Sequence, residues 1–176
     1  MIKRVVGIDP SSTRTGIMFL DPEGSNLPNF VTGGIITAKP ESKEPIDRID
    51  DMVADVREML GMFRPVLIVV EITSGKVAGR LQFDKDGQRK KNVQGQGVYG
   101  MAVGAVQQAC MDWAKVHIGV EVLRVKENVW TQKKSKQQRA DGIHLLYPTI
   151  DWTPDTGNDM ADATGLALWG IGERKL

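Results

Sequence analysis

Val5-Val6-Gly7-Ile8-Asp9-Pro10-Ser11-Ser12 is a short apolar run that ends on a carboxylate and breaks at once into turn residues. It reads as a strand followed by a tight loop. Working outward, residues 16–20 form a second apolar run, closed by Asp21-Pro22-Glu23-Gly24, and residues 30–37 form a third. Three short strands joined by tight loops predict an antiparallel meander. The period then changes. Ile46, Ile49, Val53, Val56, Leu60 and Phe63 recur every three or four residues, an amphipathic helix that Pro65 ends. Val66-Leu67-Ile68-Val69-Val70 is apolar on both faces, as a strand covered from both sides is, and Glu71 follows directly. Helical spacing returns from Val98 through Met101, Ala105, Ala109, Trp113 and Val116, and residues 120–125 read as a fifth strand. The segment 127–147 is mainly polar, with an apolar stripe at Ala140, Ile143 and Leu146. Asn158 is placed to cap a last helix over 159–172. The pattern predicts an α/β fold with a five-stranded mixed sheet, three antiparallel strands and then parallel crossovers, flanked by helices.

Length and composition agree with one domain over residues 1–176. The 23 Lys+Arg against 22 Asp+Glu leave a net charge of +1, so total charge nominates no partner. A hydrophobic share of 41% and a charged share of 26% exclude a wholly disordered chain. One cysteine, Cys110, cannot form an internal disulfide, and no Cys/His cluster has zinc-ligand spacing. No run of apolar residues matches a signal peptide or a membrane span, so a soluble, cytoplasmic protein is expected. Charge is nevertheless uneven. Lys76, Arg80, Lys85, Arg89, Lys90 and Lys91 crowd one segment, and Arg124, Lys126, Lys133, Lys134, Lys136 and Arg139 another. Two basic segments flanking a glycine-rich stretch suit a phosphate backbone; a solvated loop and helix face is the alternative.

The acids are the sharper signal. Asp9 and Glu71 each end an apolar strand, where a carboxylate is costly to desolvate unless paired or metal-bound. Asp159 and Asp162 stand three apart, on one face of the last helix and beside its positive dipole end. The small residues beyond them (Ala161, Ala163, Gly165, Ala167) predict close packing on the sheet. If that helix docks at the carboxyl ends of the strands, the four acids converge. Such a cluster of hard oxygen ligands suits Mg²⁺ or Mn²⁺, and a pair of ions roughly 4 Å apart could hold both oxygens of a phosphodiester displacement. Singly, Asp9 reads as a turn residue and Asp159 as a helix-start charge; Asp21, Asp151 and Asp155 are read in that structural way.

Gly7-Ile8-Asp9-Pro10-Ser11-Ser12-Thr13-Arg14-Thr15-Gly16 resembles the opening motif of the RuvC family of Holliday junction resolvases. Val69-Val70-Glu71 resembles the family's second acidic motif, Gly95-Gln96-Gly97-Val98-Tyr99-Gly100 its glycine-containing helix start, and Asp159-Met160-Ala161-Asp162-Ala163-Thr164-Gly165-Leu166-Ala167 its closing helix. The resemblance implies an RNase H-like fold, a homodimer, and Mg²⁺-dependent paired nicking of four-way DNA junctions, with Mn²⁺ substituting and two ions per site. By it, Asp9, Glu71, Asp159 and Asp162 are the metal ligands, and Lys133, Lys134 and Lys136 lie near the scissile phosphate. DNA-contacting residues are expected at Lys76, Arg80, Arg89, Lys90 and Lys91 as well. Where the family often carries an aromatic after the second acid, this chain has Ile72-Thr73-Ser74-Gly75, and Phe83 is the nearest aromatic.

Several patterns compete. Gly95-Gln96-Gly97-Val98-Tyr99-Gly100 matches a dinucleotide-binding fingerprint but lacks the strand that must precede it. His117 and His144 read as surface or packing residues, Cys110 as a small buried hydrophobe, and Trp130 as either a base-stacking side chain or a buried anchor. Tyr99, Met101 and Trp113 belong to either an interface or the core. Sugar-kinase and actin-like ATPases share a similar first loop but need a second lobe. A non-catalytic DNA-binding module, a broader branched-DNA nuclease and a ribonuclease acting on RNA–DNA hybrids remain as alternatives.

Overall fold

The computed structural model describes residues 3–22, 27–38, 44–72, 82–83, 89–90 and 93–174. Strands β1 (Val5–Pro10), β2 (Arg14–Asp21) and β3 (Asn29–Thr37) form the antiparallel meander. Helix α1 (Pro45–Phe63) follows, then β4 (Leu67–Ile72), a short β5/β6 ribbon (Gln82–Phe83 and Arg89–Lys90), helix α2 (Val93–Val116) and β7 (Glu121–Lys126). A one-turn helix α3 (Glu127–Trp130) leads to α4 (Lys136–Leu146) and α5 (Asp159–Arg174). The five-stranded sheet runs β3-β2-β1-β4-β7, with β1/β4 and β4/β7 parallel as the crossovers require.

The pleat sorts the side chains of the central strands to opposite faces. Val6 and Ile8 of β1, with Ile68 and Val70 of β4, pack under α1 and α2 against Ile49, Val56, Leu60, Val106 and Ala109. Val5 of β1, with Leu67 and Val69 of β4, faces the other way, toward Leu166, Ala167 and Ile171 of α5 and Ile143 of α4. Two glycines let α5 settle close. A Cβ on Gly7 would stand 1.9 Å from the Ala163 carbonyl oxygen, and one on Gly16 would stand 2.0 Å from that of Asp159.

Helix α1 ends where expected: Arg64 turns into the left-handed region at φ 47°, and Pro65 cannot continue it. Helix α2 begins at Val93, ahead of Val98 where the apolar spacing starts, so the segment that resembles a glycine-containing helix start is indeed helical. Two local expectations are corrected. Leu146 is 47% exposed and the neighbouring Tyr147 is buried in its place, its hydroxyl donating to the Pro28 carbonyl. Asn158 does not cap α5; its backbone is left-handed at φ 57°. Asp155 caps instead, its buried carboxylate accepting from the amides of Met160 at 3.0 Å and Ala161 at 2.9 Å. No helix among the described residues is long and apolar enough to cross a membrane.

Candidate active site

The alternation that buries Val5 and Leu67 against α5 places Asp9 and Glu71 on that same face. Val5 pairs with Leu67 and Gly7 with Val69, so each acid stands one two-residue step beyond a matched pair. Helix α5 supplies the others from its first turn, Asp159 beside β2 at Gly16 and Asp162 three residues on. The carboxylates of Asp9, Glu71, Asp159 and Asp162 thus face one another: the charges of the other three each raise the proton affinity of Asp9.

Cations stand among these acids. The Lys136 ammonium, at the start of α4, is 2.8 Å from Asp159 Oδ1, 3.4 Å from Asp162 Oδ2 and 3.8 Å from Asp9 Oδ2. Arg139, one turn on, grips Asp162 in fork geometry, Nε to Oδ1 and Nη2 to Oδ2, both at 2.8 Å. Arg14 Nε lies 3.1 Å from Asp159 Oδ2, and its Nη1 donates to the Thr156 hydroxyl, tying β2 to the loop before α5. Glu71 accepts from the Trp130 indole N–H at 2.8 Å. With these groups interposed, no set of three or more Asp, Glu, His or Cys side chains among the described residues is drawn together tightly enough to hold an ion as it stands.

The electrostatics follow from burial. Desolvation, then repulsion from Glu71, lifts Asp9 well above the usual carboxylate range, against the opposing pull of Lys136. Glu71 is pushed up from 4.5 to about 7, first by burial, with the Trp130 hydrogen bond acting against it. Burial pulls Lys136 down, but its bond to Asp159 and the charges of Asp9 and Asp162 together outweigh that and hold it above its ordinary value. Burial, then the charges of Glu71 and Asp9, raise the Tyr99 phenol, which places α2 beside the cluster.

No protein-family model matches the chain. It is 28% identical over 166 residues to the crossover junction endodeoxyribonuclease RuvC of Polynucleobacter necessarius, covering 94% of this chain and 86% of that one. RuvC of Bordetella parapertussis is 29% identical over 165 residues, covering 94% and 81%. Over nearly its whole length the chain is similar to RuvC crossover junction endodeoxyribonucleases. The fold agrees: RuvC of T. thermophilus, solved in complex with a Holliday junction substrate, superposes with a TM-score of 0.70 at 22% identity, covering 98% of this chain and 96% of that one. The chain therefore has the RNase H-like sheet and flanking helices that the resemblance implies.

Of the residues singled out in the sequence, Asp9, Glu71, Asp159, Asp162 and Lys136 are brought together. Lys133 and Lys134 are exposed on the turn that enters α4, where Gln132 and Lys133 both take left-handed backbone, at φ 51° and 65°. Lys76, Arg80 and Lys91 lie outside the described residues, as do the side chains of Phe83, Arg89 and Lys90. Arg14 and Arg139 were not singled out as site residues. Their signal was present: Arg14 sits in the opening motif, and Arg139 falls one turn after Lys136, on the helix face that meets α5. Trp130 is a buried anchor, with its N–H turned to the site.

Proposed function

We propose that residues 1–176 work as a single nuclease domain, a metal-dependent endonuclease that resolves four-way DNA junctions by paired symmetric nicks. The observation that carries this reading is the gathering of Asp9, Glu71, Asp159 and Asp162, from β1, β4 and α5, at one end of a RuvC-type sheet. The RuvC relatives' name as crossover junction endodeoxyribonucleases supports the substrate.

The donor set fits a hard divalent cation. It is all carboxylate oxygen, and Asp9, Asp159 and Asp162 already converge on one positive centre, the Lys136 ammonium. We assign Mg²⁺ to it, with Mn²⁺ able to substitute and two ions per site, held by Asp9, Glu71 and Asp162 with Asp159 as a further ligand or water-orienting group. Bound ions of this kind supply an activated water and stabilise the leaving oxygen. The chain's own residues do the rest. Burial keeps bulk water from screening the carboxylates. Lys136 must leave at least part of its carboxylate contact for an ion to reach them, and its half-exposed ammonium is then available to a phosphate. Lys133 and Lys134, with Lys76, Arg80, Arg89, Lys90 and Lys91, are assigned to the DNA backbone, so binding should weaken steeply with salt.

Two nicks related by symmetry call for two sites related by a two-fold axis, hence a homodimer. The exposed stripe Gly97, Gly100, Met101, Gly104 and Gln108 on α2 is its proposed contact.

The test is cleavage of an immobile four-way junction with and without Mg²⁺ or Mn²⁺, beside matched duplex, fork and RNA–DNA hybrid. Symmetric metal-dependent nicks on the junction are expected, with cutting lost and binding kept in Asp9→Asn and Asp162→Asn. Equal cutting of forks would widen the substrate, cutting of the hybrid alone would make it a ribonuclease, and binding without cutting under either metal would leave a DNA-binding module.

A further inference from the structure

Two side chains outside the acidic set join it across four elements. Trp130, 7% exposed at the end of α3, donates its indole N–H to Glu71 Oε2 of β4 at 2.8 Å. Its ring lies against α5 at Gly165, where a Cβ would stand 2.8 Å from the indole Cζ3. The Arg139 guanidinium of α4 lies over the same ring, 4.9 Å from its centre, and forks onto both oxygens of Asp162 on α5. A third donor, Arg139 Nη1, binds the Lys134 carbonyl at 3.0 Å and fixes the guanidinium plane.

We propose that Trp130 and Arg139 are a pair of positioning residues, joined by their stacking, that hold Glu71 and Asp162 at a fixed separation and orientation for the metal. The inference rests on the metal-site reading above. Its physical basis is that adjacent carboxylates repel and splay unless something restrains them. A hydrogen bond to Glu71 uses one lone pair of one oxygen, and a fork to Asp162 uses one lone pair of each; the remaining lone pairs stay free and are aimed by the restraint. The two restraints differ in kind, one a neutral N–H and the other a rigid charged fork. Lysine cannot reproduce the fork, nor phenylalanine the N–H. The stack makes the restraints interdependent, because the ring orients the guanidinium and the guanidinium pins the ring.

The test uses the full chain as wild type, Trp130→Phe, Arg139→Lys and the double variant. Mn²⁺ binding to the free protein is measured by calorimetry, four-way-junction binding in EDTA by gel shift, and folding by thermal melting. Each single variant should melt cooperatively, bind the junction like wild type, and bind Mn²⁺ about 10–100-fold more weakly, the usual consequence of losing a partner of a metal ligand. Losses in the double variant should fall short of the sum of the singles. Metal binding at the wild-type level in a folded Arg139→Lys overturns the proposal, even if Trp130→Phe fails to fold. So does junction affinity that falls in step with metal affinity, since these would then be DNA contacts. Fully additive losses overturn the pairing. Wild type that takes up no Mn²⁺ at all sinks instead the metal-site reading beneath it.

Discussion

Glu71 carries a signature that can be read without any cleavage assay. Burial first, then the charges of Glu127 and Asp162, raise its carboxyl from 4.5 to about 7, while the Trp130 hydrogen bond and Arg139 pull the other way. An unfolded chain lacks the net effect. Between those two values the folded protein therefore binds more protons than the unfolded one, and stability falls as pH rises through that window. The stabilising contribution is fully present below the unfolded value and gone once the folded group ionises. In EDTA, the melting temperature of wild type should drop between about pH 4.5 and pH 7 relative to Glu71→Gln, whose side chain stays neutral. Comparing the two cancels the titrating groups that Glu71 does not influence, and leaves the Glu71 titration together with its repulsion of Asp9. Parallel curves would mean that Glu71 is solvated and shares no field with the cluster. At this scale the sequence was legible for the four acids because charge at the end of an apolar strand is anomalous by itself. It did not mark Arg14, in the opening motif, or Arg139, in a basic segment, as partners of the acids, because sequence neighbours do not show that the fold turns an arginine inward onto a carboxylate.

Helix α5 shows how a whole element can be aimed by residues that carry no function. Its approach to the sheet depends on Gly7 and Gly16, neither of which leaves room for a methyl group. Gly16→Ala drives a Cβ into the Asp159 carbonyl, so either α5 lifts or β2 shifts. The cost expected is about 1–3 kcal/mol, seen as a lower melting temperature, and cutting should fall further than stability because Asp159 moves with the backbone. A Gly16→Ala protein that melts and cuts like wild type would show that α5 is not seated by this contact. Asp155 acts on the same element from the other end. Asp155→Ala removes the acceptor for the Met160 and Ala161 amides and should cost roughly 1 kcal/mol or more in chemical denaturation, with m unchanged. Element order and type were readable from period alone: alternation and apolar runs gave the strands, three-and-four spacing the helices. The cap was misread because Asn158 is adjacent to the helix and Asp155 is not. Only the turn over 155–158 brings that carboxylate back over the first amides, and turn geometry is a tertiary fact. Apolar spacing places the start of α2 late for a related reason, since glycine and glutamine signal no apolar face, whereas the resemblance over residues 95–100 marks a helix start there.

At the scale of the whole molecule, α2 leaves something unexplained within one protomer. Its inner face is well used: Ala102, Val106, Ala109 and Cys110 are buried against the sheet and α1. Its outer face carries Gly97, Gly100 and Gly104 among exposed residues, and a Cβ at any of them would meet nothing within 4 Å. Glycine inside a helix costs about 1 kcal/mol relative to alanine, so three unpacked glycines on one stripe weaken the helix without helping the fold. They make sense if a second helix approaches there, because small residues let two backbones come close while Met101, 51% exposed, is covered at the same time. A two-fold axis there would relate two acidic clusters by symmetry, as two symmetric nicks require. Gly104→Arg is a clean probe, since the protomer has open space at that position and arginine is the better helix former. Wild type should sediment as a dimer at micromolar concentration and Gly104→Arg as a folded monomer of equal or higher melting temperature. On a four-way junction in a plasmid, wild type should release linear product by coordinated nicks, whereas the variant should accumulate singly nicked circles. A variant that stays dimeric moves the interface off this stripe. A monomeric variant that still yields linear product at the wild-type rate separates paired cutting from dimerisation, and with it the reason for placing two copies on one junction.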